Sequence, residues 1–209
     1  MTATGSAATR GRAAGSRRRE LITIAADLFA EHGFAKVTVD DIGRAAGVSG
    51  PALYHHFDGK EALLGEMLID ISEYLLAGGR EVVAAGGDDV VHRLIVFHAE
   101  FAVDQRSLIT VHFRDLVHAR PDDEARVRAI QHDYVEVWRA AMHDRIPTLE
   151  PATTLAAVHA MFGLINSTPH SARLPRDDML DLLVRMADGA LSTAIGHHSP
   201  PSDRSTSPV

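Results

Sequence analysis

Apolar residues recur along most of the chain at the three- and four-residue spacing of a helix, whereas the alternation typical of strands is rare. The stripe formed by Leu21, Leu28 and Phe29 predicts a first helix over residues 16–32. Further stripes predict six helices over residues 60–85, 88–103, 107–119, 122–145, 152–168 and 176–195. Alanine is abundant and aromatic residues make up only 5% of the chain, which also favours helices.

Two more short helices are predicted within residues 38–57, with a glycine between them. Thr38 is expected to cap the first helix, and Gly47 supplies the tight turn. Ser49 is expected to cap the second helix, with Pro51 in its first turn, where a missing N–H costs nothing. One helix held by its neighbours and a second one exposed are typical of the helix-turn-helix that inserts into a DNA major groove.

These elements predict an all-α fold with a three-helix N-terminal helix-turn-helix head and a six-helix C-terminal body. The head is assigned to residues 17–60 and the body to residues 61–196. Residues 1–16 are predicted to be a disordered basic arm, and residues 197–209 a loose tail.

Charge is distributed unevenly between the head and the body. The net charge is −7, yet residues 1–60 carry +2 and residues 61–209 carry −9. Residues 1–19 contain five arginines and no acidic residue. This asymmetry predicts that only the N-terminal end contacts phosphate, although a solvated tail is an alternative for the arm.

Several classes of chemistry are excluded or disfavoured by the sequence. The chain has no cysteine, which excludes disulfides, thiolate catalysis and Cys-ligated metals. No apolar run approaches the ~20 residues of a membrane span, so no membrane partner and a cytoplasmic location are expected. Neither an ordered nucleophile–base–acid set nor a glycine-rich loop after a strand is present, so no enzymatic activity and no cofactor are expected.

The stretch AADLFAEHGFAKVTVDDIGRAAGVSGPALYHHFDGKEALL fits one family pattern nearly throughout. Through it, residues 19–67 resemble the tetracycline-repressor (TetR) family of bacterial regulators. Residues 68–209 match only in helical character and length. The resemblance implies a homodimeric regulator of transcription, a repressor that leaves a roughly palindromic operator when a small molecule binds. It also implies that residues 61–196 form the ligand-binding and dimerisation domain.

The predicted contacts with double-stranded DNA come from three parts of the head. Thr38 lies at a helix N-terminus, which suits a phosphate, although a plain helix cap is the alternative for Thr38 and Ser49. Lys60 matches the phosphate-contacting lysine of the family. Gly50 departs from the family, where a longer polar side chain is common. The full set is Arg17, Arg18, Thr38, Arg44, Ser49, Gly50, Pro51, Tyr54, His55 and Lys60.

The last two long helices are predicted to form an intersubunit four-helix bundle, with an intramolecular core as the alternative. The predicted interface residues are Leu155, Val158, His159, Phe162, Leu180, Leu183, Val184, Ala187 and Leu191. Small residues would allow close approach there, namely Ala156, Gly163, Gly189 and Ala190.

Large side chains in the middle helices predict a pocket for a hydrophobic or amphipathic effector, with plain core packing as the alternative. The predicted ligand-binding residues are Phe97, Phe101, Phe113, Tyr134 and Trp138.

The 13 histidines do not predict a metal site, because no two lie three or four residues apart on a helix. A site assembled from separate helices, such as His98 with His112, is the remaining alternative. Two other functions are left open by the sequence: an architectural DNA-binding protein without a ligand, and, less favoured, a helical enzyme.

Overall fold

The computed structural model describes residues 4–171 and 173–196, and their side chains at 17–49, 52–171 and 173–193. This part of the chain contains ten α-helices, two short 3-10 helices and no strand, which confirms the all-α prediction. The helices are α1 Thr4–His32, α2 Val39–Ala45, α3 Gly50–Leu53, α4 Lys60–Ala84, α5 Val90–Asp104, α6 Arg106–Asp115, α7 Pro121–Arg145, α8 Pro151–Ile165, α9 Thr168–Ser171 and α10 Arg176–Gly196. None of these helices is long and apolar enough to cross a membrane.

The helices differ from the predicted ones mainly at the start of α1 and after α8. Helix α1 begins at Thr4, so most of the arm predicted to be disordered is helical; its alanines and arginines favour a helix, and no proline interrupts it. The body has seven helices rather than six, because Pro169 stops the continuation of α8 and starts α9. Thr168 anchors α9 by donating its hydroxyl to the Ala102 carbonyl at 2.7 Å. The predicted tail, residues 197–209, lies outside the described residues.

The helix-turn-helix forms where the sequence predicts it. Thr38 accepts a hydrogen bond from the Asp41 N–H, and the Asp41 carboxylate accepts one from the Thr38 N–H, which completes a capping box. Gly47 has a φ of 67°, a left-handed conformation that glycine adopts without strain, and it turns the chain towards α3. Ser49 occupies the N-cap of α3 but makes no side-chain capping bond.

The head core does not end at residue 60, where the sequence placed the boundary. Leu21, Phe29, Ile42 and Leu53 of the head pack against apolar residues of the body elements. Those residues are Leu63, Leu64, Met67, Leu68 and Ile69 of α4, Val111 of α6, Leu116 and Val127. A second core fills the body around Leu94, Trp138, Val158 and Leu183. The body therefore completes the core of the head.

Polar contacts along α6 and the turn after it also join the two parts. Arg114 donates to the Phe29 and Ala30 carbonyls at the C-terminal end of α1. The ring of His118 stacks on Phe34 with centroids 5.2 Å apart. A cation that binds the last carbonyls of a helix also interacts favourably with the helix dipole. Helix α1 is thus fixed at its C-terminal end by α6.

Helices α4 and α7 cross closely beside the body core. A Cβ on Gly79 would lie 2.6 Å from the Tyr134 ring, closer than packed atoms approach each other. Glycine at this position of α4 therefore permits the crossing and sets the position of Tyr134.

Candidate nucleic-acid interface and ligand cavity

The exposed face of the head consists of the turn after α3 and the outer side of α2. Tyr54 is 59% exposed, and Ser49, Arg44 and His55 are also exposed. Tyr54 and His55 follow α3, which ends at Leu53, so they are presented by a turn rather than by helix. Gly50 and Pro51 form the first turn of α3, and the Pro51 side chain and the exposure of both residues lie outside what the structure describes.

Thr38 and Arg44 both interact with Asp41. The Thr38 hydroxyl donates to the Asp41 carboxylate at 2.6 Å, and Arg44 donates to it at 2.9 Å. The hydrogen bonds from Thr38, followed by that from Arg44, lower the pKa of Asp41 to about 2. The structure therefore supports the role of Thr38 as a helix cap, whereas its contact with phosphate stays a prediction.

Three basic residues predicted to face DNA are bound within the head. Arg18 donates to Glu66 and to the His56 carbonyl, and its guanidinium lies 4.4 Å from the centre of the Phe57 ring. Arg17 donates to the Ala46 carbonyl at 2.5 Å and to Glu20.

Lys60 donates to the Phe34 and Val37 carbonyls at 2.8 and 2.9 Å and lies over the Phe34 ring. The charges of Arg17, Arg18 and Lys60 thus satisfy carbonyls, carboxylates and aromatic rings within the chain, whereas their contact with DNA stays a prediction.

Sequence reasoning missed Lys36 as a candidate phosphate contact. Lys36 is exposed and lies with His32, Arg44 and Asp41 along a surface groove of about 530 Å³ beside α2. Its position at the end of the 3-10 helix, just before the N-terminus of α2, is the signal that could have identified it.

The body contains a cavity of about 600 Å³ among α4, α5, α6, α7 and α8. Of the predicted ligand-binding residues, Phe101, Phe113 and Tyr134 line it. Phe97 and Trp138 do not, which corrects the prediction. Phe97 packs on Gly78, and Trp138 is fully buried with its ring edge-on to Phe162 at 5.1 Å.

The buried part of the cavity lining carries a polar group that is uncharged at neutral pH. His98 is 3% exposed and bonds to the Tyr134 hydroxyl at 3.1 Å and to the Asn166 Oδ1 at 3.0 Å. Burial lowers the pKa of His98 to about 4, opposed in part by the bond to Asn166. Burial also raises the pKa of Tyr134, so both groups are neutral at pH 7.

The exposed part of the cavity lining contains charged, polar and apolar side chains. Arg128 and His132 are exposed there, and Arg128 is paired with Glu124 at 2.7 Å. Leu155, His159 and Gly163 of α8 also line the cavity from an exposed position. The cavity thus has a buried, neutral floor and an exposed, charged mouth.

Most of the residues predicted at the dimer interface are used inside the protomer. Val158, Leu183, Ala187 and Leu191 lie in the body core, so their assignment to the dimer interface was wrong. Helical spacing shows that one face of a helix is buried but does not show which element covers it. Phe162, Leu155 and His159 line the cavity, and the half-buried Leu180 and Val184 pack on the core.

The outer side of α8 and α10 instead presents small residues and one methionine, namely Ala156, Ala160, Gly163, Met186, Gly189 and Ala190. No atom lies within 4 Å of a Cβ built on Gly163 or Gly189. This outer face of α8 and α10 can therefore accept a closely packed neighbour.

Among the described residues, no group of three His, Asp or Glu side chains is arranged to hold a metal ion. His98 and His112 have separate partners, since His112 is bonded to Gln131. The alternative of a site shared by these two histidines therefore has no support in their geometry.

Residues 21–67 match the model of the bacterial regulatory proteins of the tetR family. The transcriptional repressor KstR2 of Rhodococcus jostii is 33% identical over 129 residues, which are 60% of this chain and 63% of that protein. KstR2 of Mycobacterium tuberculosis is 36% identical over 101 residues, 48% of this chain and 50% of that protein. The chain thus matches less than two thirds of the length of these relatives.

Solved structures extend the similarity to most of the fold. A TetR-family transcriptional regulator from Bordetella parapertussis has a TM-score of 0.73 and 25% identity, covering 81% of this chain and 93% of its own. The ketosteroid transcriptional regulator KstR2 of Mycobacterium tuberculosis has a TM-score of 0.71 and 20% identity, covering 87% and 94%.

The pKa of His98 predicts how stability depends on pH. Below pH 6.5 the unfolded chain protonates this imidazole, whereas the folded chain does so only near pH 4. The free energy of unfolding should therefore fall as the pH is lowered through this window, by about 3 kcal/mol from His98 alone. His112, whose pKa burial also lowers, contributes in the same direction.

Urea denaturation at a series of pH values measures this dependence. His98→Phe should make the slope between pH 6.5 and 4.5 shallower, whereas the same change at the exposed His143 should leave it unaltered. Equal slopes for wild type and His98→Phe would contradict the assignment.

Proposed function

We propose that this chain, which belongs to the TetR family of bacterial regulatory proteins, is a homodimeric repressor of transcription that a small hydrophobic or amphipathic molecule releases from its DNA operator. The observation that carries the proposal is an exposed helix-turn-helix whose core is completed by helices that also line a cavity of about 600 Å³. That cavity favours a ligand-responsive regulator over an architectural protein. Such a repressor would act in the cytoplasm, on the bacterial chromosome.

In this proposal the head reads DNA through the turn after α3. Tyr54, His55 and Ser49 face the bases or the adjoining phosphates, while Arg44 and Lys36 flank them with positive charge. Two heads in a dimer would occupy major grooves one turn apart, ~34–36 Å between centres. Arg17, Arg18 and Lys60 orient this surface through their internal bonds, and their exposed parts would contact the phosphates that flank it.

The dimer would form through the outer face of α8 and α10. Small residues there allow two pairs of helices to approach closely, as in an intersubunit four-helix bundle. Leu155, His159 and Gly163 belong both to this side of α8 and to the mouth of the cavity. A partner subunit would therefore cover part of the mouth and restrict the exit of a ligand.

A ligand would act on the head through α6 as well as α4. Ile109, His112 and Phe113 line the cavity, and the next residue, Arg114, holds the carbonyl end of α1. A ligand that displaces α6 would thus pull on α1 and change the spacing of the two heads. The altered spacing would break register with the operator and release it.

The lining indicates the class of effector to test first. Its buried part is aromatic and neutral, and its exposed part carries Arg128 and His132, a combination that suits an amphipathic molecule. The similar KstR2 of Mycobacterium tuberculosis is described as a ketosteroid regulator. Rigid polycyclic ketones are accordingly the first candidates.

Gel-shift titration with the DNA upstream of the gene tests the repressor directly. Wild type should bind a specific fragment, and Tyr54→Ala should weaken binding by about 5- to 150-fold, since a lost base contact costs roughly 1–3 kcal/mol. Tyr74→Ala is the matched control, because Tyr74 is equally exposed (56%) but lies on the body. Absence of specific binding to any genomic fragment would refute the proposal.

Gly163→Leu tests the dimer face. A Cβ at this position lies more than 4 Å from the neighbouring elements of its own protomer, so the helix content should be unchanged while the dimer dissociates by steric conflict. Analytical ultracentrifugation should show a shift from dimer to monomer. Ala129→Leu, an exposed alanine on α7, should remain dimeric. A Gly163→Leu protein that is still a dimer would place the interface elsewhere.

A further inference from the structure

Three polar side chains, two from helices and one from the end of a third helix, form one connected group at the buried floor of the cavity. His98 of α5 bonds through Nδ1 to the hydroxyl of Tyr134 on α7 and through Nε2 to the amide of Asn166 after α8. All three residues line the cavity. They are therefore available both to one another and to a molecule inside it.

The internal hydrogen bonds of this group leave at least one N–H or O–H donor unused, and that donor can bind a ligand. A neutral imidazole has one N–H, so one ring nitrogen donates and the other accepts. With the proton on Nε2, His98 donates to the Asn166 Oδ1 and accepts from the Tyr134 hydroxyl, and the Asn166 N–H groups stay unused. With the proton on Nδ1, His98 donates to the Tyr134 oxygen, whose own O–H is then unused, and the rotated Asn166 amide donates to Nε2. In either arrangement the group offers a donor beyond its internal bonds.

The surroundings restrict what that donor can bind. Phe162 stacks on both His98 and Tyr134, with centroids 4.9 and 5.5 Å apart, and Trp138 stands edge-on to His98 at 6.0 Å. None of the three polar groups carries a charge at neutral pH. An anion would lose its hydration there without gaining a cation, whereas a neutral oxygen loses little. The charged residues of the lining, such as Arg128, are exposed at the mouth.

We propose that His98, Tyr134 and Asn166 recognise a neutral oxygen, a ketone or a hydroxyl, on an otherwise apolar ring of the effector. Asn166 or Tyr134 donates to the ligand oxygen, and His98 positions both by exchanging which ring nitrogen bears the proton. The same group can thus serve a ketone as a donor, and a hydroxyl as a donor and an acceptor. This inference rests on the proposed ligand-binding function and adds the chemical group that is selected.

The test uses four probes that share a skeleton: 5α-androstan-3-one, 5α-androstan-3β-ol, 5α-androstane and 5α-androstane-3-carboxylate. Binding is followed by the fluorescence of Trp138, the only tryptophan, which packs against Phe162 and His98. Wild type should bind the ketone and the alcohol about 3- to 10-fold more tightly than the hydrocarbon, as one net hydrogen bond provides, and should bind the carboxylate most weakly.

Asn166→Ala should weaken the preference for the ketone and the alcohol, because only the Tyr134 hydroxyl is left as a donor, while the affinity for the hydrocarbon should change little. Tyr134→Phe, which keeps the ring, should weaken the same preference and serves as the second variant. Thr154→Val is the matched control, because the buried Thr154 hydroxyl is bonded to the Glu150 carbonyl and does not line the cavity. It should bind all four probes as wild type does.

Equal affinity for the ketone and the hydrocarbon, no binding of the ketone, or an equal loss for all probes in Asn166→Ala would overturn the inference. A protein that binds operator DNA and is released by the carboxylate alone would keep the proposed function and lose this inference. Selective binding of the ketone without any binding of DNA would support the recognition of a neutral oxygen and contradict the proposed repressor function.

Discussion

Helix α4 belongs to both hydrophobic cores, and this sharing constrains the rest of the molecule. Its N-terminal half contributes Leu63, Leu64 and Met67 to the core of the head, while Leu76 lies in the core of the body. Ile71, between them, packs against both. Close-packed interiors transmit displacement rather than absorb it. A rigid helix anchored in two cores therefore couples the position of the head to the packing of the body.

Helix α6 provides a second connection with a different chemistry. One side of α6 meets the cavity, and Arg114 at its C-terminal end holds the carbonyls that end α1. Asp115 beside it is buried and accepts from the same guanidinium, which fixes the direction of the arginine. The head is therefore held at two points, through apolar packing on α4 and through charge-assisted hydrogen bonds from α6.

The sequence predicted features that depend on neighbouring residues and missed those that depend on distant ones. The N-cap at Thr38 and the turn at Gly47 are set within a few positions, and both are found. The roles of Arg18 and Lys60 are set by Glu66 and by the carbonyls of Phe34 and Val37, whose proximity only the folded chain creates. The sequence therefore could not show that these basic residues also hold the elements of the head together.

The same limit applies to the apolar stripes of the body. Spacing along α8 and α10 indicated burial but could not distinguish the core of one protomer from the interface of two, so Val158 and Leu183 were assigned to the wrong contact. Spacing likewise could not separate Trp138, which lies behind the cavity, from Tyr134, which lines it. The exposed small residues Gly163 and Gly189 are the better basis for the proposed interface, because no neighbouring element lies within 4 Å of a Cβ at either position.

The central claim is that a ligand in the cavity changes the spacing of the two heads, and a distance measurement tests it most directly. The chain has no cysteine, so Glu31→Cys places one spin label on the exposed end of α1 in each protomer. Pulsed electron paramagnetic resonance gives the separation of the two labels with and without bound 5α-androstan-3-one. The account predicts a shift of several ångströms on binding. An unchanged distance distribution with the ligand bound would contradict it.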